Sequence, residues 1–228
     1  MLLFSQEQLL SLIVMSDIFE WKKKIDCLKN QIKPLRLTPF NWHVQYLDET
    51  VKCFHSNLSI SCIVVSSALV ETCLCLEHFR QNPKETIGLE EFRGDSLNKL
   101  FDFFLDTDMP LEFLMDSDED IVALKKMKKK ERKKRISEIK YVKTRNVFAH
   151  GDLFYQVINL QTLLPYGKKE LQEYGIEEWK LSGTLGLRTV AYVHLSKTLR
   201  FMKAFTDWII QKEEQESRFR KNHLFGLG

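Results

Sequence analysis

Between Phe40 and Arg80 the chain has neither proline nor glycine. These are the two residues that most strongly stop a helix, so the stretch must be one very long helix or two helices meeting near Ser56-Asn57. Its second half, SISCIVVSSALVETCLCLEHF, is rich in Ser, Ala and Cys. Small side chains let neighbouring backbones approach closely, which suits the central helix of a bundle. The uncharged run from Cys53 to Val70 has the length of a membrane span, but it holds six Ser and Asn residues and leads straight into Glu71. A core helix that is apolar on most sides explains it better, and no membrane association is expected.

The rest of the chain reads the same way. Apolar residues at mixed three and four spacing predict a helix or helix pair over residues 3–30, ended by Pro34. Thr38-Pro39 has the form of an N-cap followed by proline at the first helical position. Asn82-Pro83 breaks the pattern. Leu89 to Leu105 reads as a helix weakened by Gly94, and the acidic stretch DTDMPLEFLMDSDED as partly loop. A further helix is expected from about Asp120 to Ala149, with a break in its basic run, and Gly151 follows where a helix end favours a left-handed residue. Residues 153–188 carry Pro165, Gly167, Gly175, Gly183 and Gly186 and read as an irregular insert. Thr189 to about Glu216 predicts the last helix, with a frayed tail after Arg218. No alternating pattern is long enough to build a large sheet. The expectation is an all-α, antiparallel helical bundle forming one domain over 1–228. Helices 3–30 and 189–216 pack on its core.

Charge is unevenly placed. The net charge of the 228 residues is only +3, yet KKMKKKERKKR, residues 125–135, holds nine basic side chains and leaves the remainder slightly acidic. The run is a solvated surface or a track for phosphates, and Lys128, Lys129 and Lys130 are its candidate RNA contacts. The five cysteines are odd in number, and Cys62, Cys73 and Cys75 lie in an apolar run. Free thiols in a reducing, cytoplasmic setting are expected. No Cys and His spacing suits zinc, and neither metal nor cofactor is expected. The start of the chain lacks the basic residues of a secretion signal.

The stretch KYVKTRNVFAHGD, residues 140–152, is where the chemistry concentrates. It places Arg145, Asn146 and His150 on one helix, just before a glycine stop. Asn146 and His150, four apart, share a face. Arg145 and His150 are separated by about 140° around an ideal helix. One copy cannot easily aim both at one small target, whereas two copies in a symmetric pair can. Neutral His150 is suited to take the proton of an RNA 2′-hydroxyl, and Arg145 to clamp the phosphate it attacks. Lys140 and Lys143 flank the motif and can bind substrate phosphate. Glu71, set among apolar neighbours, needs a partner if buried, and Arg145 or an adjacent backbone donor is the expected one. Arg145 and His150 could equally be a structural pair. His78 lies two turns beyond Glu71 on the same face, and no metal is expected there.

Arg-Asn followed by three residues and His, late in an all-helical chain, resembles the motif of the HEPN superfamily. SSALVE, residues 66–71, resembles that family's earlier central helix with its acidic residue. The resemblance implies Arg145 and His150 as catalytic residues, with Asn146 and Glu71 in support. It also implies a homodimer whose two motifs meet in a cleft, and a metal-independent endoribonuclease in a toxin–antitoxin, phage-defence or RNA-processing system, beside an antitoxin or defence partner. Where some family toxins carry a modifiable tyrosine two places after the histidine, this chain has Asp152. The alternative is a helical dimer that binds RNA or a protein and cuts nothing.

Overall fold

The computed structural model describes residues 6–34, 42–82, 96–149 and 183–225. Over these residues the fold is all-α, with no strand. The elements are α1 (Gln6–Asn30), α2 (Trp42–His55), α3 (Ser59–Gln81), α4 (Ser96–Phe104), a 3-10 turn (Leu111–Leu114), α5 (Asp118–Lys126), α6 (Lys129–Glu138), α7 (Lys140–Ala149) and α8 (Gly183–Phe225).

The long proline-free stretch is two helices, and the break falls at Ser56-Asn57-Leu58. Asn57 takes a left-handed backbone (φ 64°), a conformation asparagine tolerates better than most residues. The Leu58 amide bonds the Cys53 carbonyl and the Asn57 amide bonds that of Phe54, the two bonds that close a helix end in the Schellman manner. From α1, Lys22 Nζ donates to the His55 carbonyl (2.8 Å) and caps the same end. The uncharged run Cys53–Val70 is therefore divided between two helices. By length and composition α3 could cross a membrane, but here it is the hub that touches α2, α4, α7 and α8.

Helix directions follow from the side-chain pairs. Trp21 stacks on Tyr192 (4.8 Å) and Lys33 pairs with Asp207, so α1 and α8 run the same way. Ser67 meets His194 and Cys73 meets Met202, so α3 and α8 also run together. α2 returns antiparallel between α1 and α3. α8 is the second hub: residues 188–199 are buried without interruption.

The structure corrects three boundaries. α8 begins at Gly183, so residues 183–188 belong to the helix and not to the irregular insert; Gly186 is buried, and its missing side chain serves close packing there. The backbone of α8 also continues past Arg218 to Phe225. The helix expected from Asp120 to Ala149 is broken twice, at Met127-Lys128 and at Ile139, where amides close back onto Leu124 and Ile136. At the second break the Lys140 amide meets Asp116 Oδ2 (3.2 Å), which turns α7 against α8. Gly151, most of the insert and residues 83–95 lie outside the described residues.

The acidic stretch after α4 folds onto the basic run. Its apolar residues Met109, Leu111, Leu114 and Met115 plug the core. Arg132 Nε meets Asp102 (2.7 Å) and its Nη1 meets Asp106 (2.9 Å), clamping α6 to α4.

Candidate functional site

α7 turns Tyr141, Val142, Thr144 and Phe148 inward and leaves Arg145 and Asn146 half-buried at its margin. Arg145 Nη2 donates to Glu71 Oε2 on α3 at 3.0 Å, and Nη1 donates to Asn146 Oδ1 at 2.9 Å. The two charged side chains are 15% and 20% exposed. The pairing of Glu71 with Arg145 expected from the sequence is thus present. A guanidinium has five N–H donors. Two are engaged here, and the remainder can still grip an oxyanion. His150 follows the last described residue of α7 and lies outside the described residues, as does Asp152.

Beneath this pair, one turn earlier on both helices, lies a buried polar cluster the sequence did not announce. The His194 ring stacks on Tyr141 (centroids 4.0 Å apart, planes at 8°). His194 Nε2 is 2.8 Å from Ser67 Oγ, and the Tyr141 hydroxyl is 2.8 Å from Thr198 Oγ1. Ser67 gives its own proton to the Ile63 carbonyl and Thr198 gives its to the His194 carbonyl. His194 Nδ1 is buried without a hydrogen-bond partner among the described residues. Burial pushes His194 down to about 3, with Lys197 adding to the effect, and burial pushes the Tyr141 phenol up. The cluster locks α3, α7 and α8 in register: Ser67 is four residues before Glu71, and Tyr141 is four before Arg145. Lys197 completes the support, donating to the Met115 carbonyl (2.9 Å) and meeting Asp116 at 3.4 Å.

The basic run is not one patch. Its arginines are structural: Arg132 is held by Asp102 and Asp106, and Arg135 by Asp120 and Glu138. Lys128, Lys129 and Lys130 are exposed at the junction of α5 and α6, with no ion pair among the described residues. Lys143 is exposed on α7, while Lys140 is half-buried at its start. His78 is buried, its ring 4.3 Å from that of Phe103. Among the described residues no group of three His, Cys, Asp or Glu side chains could hold a metal ion.

No protein-family model, no curated protein and no solved structure matches this chain.

Proposed function

We propose that this chain is a HEPN-type endoribonuclease that cuts RNA as a homodimer without a metal, in the manner of a toxin or antiviral-defence effector. The observation that carries the reading is the state of Arg145. It is oriented by Glu71 and Asn146, keeps donors to spare, and stands on the helix that leads into His150. In the proposed reaction His150 takes the proton of a 2′-hydroxyl, and the freed oxygen attacks the adjacent phosphorus. The bond from phosphorus to the 5′-oxygen breaks, and that oxygen takes up the proton that His150 removed, so that no net proton is gained or lost. The products are a 2′,3′-cyclic phosphate and a 5′-hydroxyl. Arg145 offsets the charge that gathers on the phosphate oxygens, which is where a fixed guanidinium has its largest effect. The partner protomer supplies the second Arg145–His150 set. DNA, lacking the attacking hydroxyl, is not cut.

Purified protein incubated with total RNA in chelator should leave fragments ending in cyclic phosphate. His150→Ala should lose this cleavage while keeping its fold and its association state. Equal cleavage by the variant and the parent would remove the reading. The alternative, a non-catalytic dimer that binds RNA or a partner protein, draws on the unpaired lysines at the start of α6; it predicts RNA binding with no fragments from either form.

A further inference from the structure

Arg188 lies near the start of α8, 8% exposed, with its guanidinium carbon 5.6 Å from the centre of the Phe54 ring. Its Nε and Nη2 are both buried, and neither has a hydrogen-bond partner among the described residues. These two nitrogens share one edge of the guanidinium plane. Their hydrogens point the same way, as the fork that takes two oxygens of a single carboxylate or phosphate.

The same molecule contains this fork filled. Arg80 sends Nε to Glu77 Oε2 (2.7 Å) and Nη2 to Glu77 Oε1 (2.9 Å), and the Glu77 side chain is 1% exposed. The two arginines respond oppositely. Glu77 strengthens the charged form of Arg80, whereas burial alone weakens that of Arg188. No carboxylate among the described residues forms an ion pair with Arg188. A buried cation without a counter-charge is unfavourable. The known surroundings are aromatic: Phe54 beneath it and, one turn along α8, Tyr192 stacked on Trp21. Such aromatic faces lower the local dielectric and strengthen a charge-assisted bond.

We propose that Arg188 is the receptor for an oxyanion, a phosphate or carboxylate group gripped by the Nε–Nη2 edge. The site is separate from Arg145. Arg188 precedes His194 by six residues, while Arg145 lies one turn beyond the His194 level, which sets them about 15 Å apart along the bundle. The proposal does not depend on the ribonuclease reading.

The test is thermal melting of the full chain at constant ionic strength in chloride, inorganic phosphate or acetate. The anion that fits should raise the melting temperature by about 4 °C at ten times its dissociation constant. A rise in phosphate alone assigns a phosphate ligand, and a rise in acetate alone assigns a carboxylate. Arg188→Met should show no anion-dependent rise and should melt at or above the parent in chloride, because an unpaired buried charge has gone. Arg188→Lys keeps the charge but lacks the two-donor edge, so its rise should be reduced. Identical melting of the parent in all three salts would overturn the proposal. So would a full rise in Arg188→Met or, should that variant not fold, in Arg188→Lys.

Discussion

Arg145 and Glu71 are 74 residues apart, yet one of the few statements the sequence licensed about a specific contact was theirs. The reason is physical: a carboxylate inside an apolar helix face must find a cation. Removing one partner should cost more than at an open surface and less than in a sealed core. Glu71→Ala is expected to lower stability by about 2 kcal/mol. A urea double-mutant cycle with Arg145→Ala checks this; strict additivity of the two losses would contradict it. His194 was not legible, because an isolated histidine in an apolar helix gives no hint of partners 53 and 127 residues away. Its titration has a definite sign. The folded value, about 3, lies below the ordinary 6.5, so the native state keeps the ring neutral. Stability is complete above pH 6.5. It falls as the pH drops, because the unfolded chain takes the proton first. Between pH 6.5 and 5, largely above the carboxylate range, the loss should be about 2 kcal/mol. Urea melts at the two pH values would measure it, and His194→Gln should flatten that part of the profile. An equally steep slope in the variant would place the effect elsewhere.

Helix boundaries were readable where local chemistry decides them and unreadable where packing does. The stop at Asn57 belongs to the first kind. The start of α8 belongs to the second: Gly183 and Gly186 read as turns, but buried contacts around Gly186 outweigh their low helix propensity. The break at Ile139 is also tertiary, since it brings the Lys140 amide to Asp116. The same limit applies to charge. In the sequence the run 125–135 is uniform, and only the folded structure separates the bound Arg132 and Arg135 from the exposed Lys128, Lys129 and Lys130. This separation predicts different outcomes for similar-looking changes. Replacing Lys128, Lys129 and Lys130 by Ser should leave stability nearly unchanged, weaken RNA binding and reduce its salt slope by about two. Arg132→Ala should chiefly destabilise, by releasing α6 from α4. Filter binding across a salt series alongside thermal melts distinguishes them; unchanged RNA affinity in the lysine variant would make that corner plain surface.

For the molecule as a whole, the all-α architecture was legible from composition and the lack of strand periodicity. The co-directional course of α3, α7 and α8 was not, because it rests on pairs far apart in the chain. The core these helices form encloses Cys62 and Cys73 completely, while Cys27 is exposed and all five cysteines are free thiols. Burial pushes Cys73 up to about 12 and Cys62 up as well, so neither is a ready nucleophile in the native state. A thiol reagent added to native protein should label Cys27 at once, and Cys62 and Cys73 only at the rate of global opening. Five equally fast thiols would be incompatible with this core.

The three-helix clamp has a consequence for the order of events during synthesis. Ser67 and Tyr141 are made long before His194, which lies 127 residues after Ser67. Until α8 leaves the ribosome, α3 and α7 lack the side chain that fixes their register, and Arg145 has no stable platform. A growing chain therefore lacks the three-helix clamp, and any truncation before residue 194 leaves Arg145 without it.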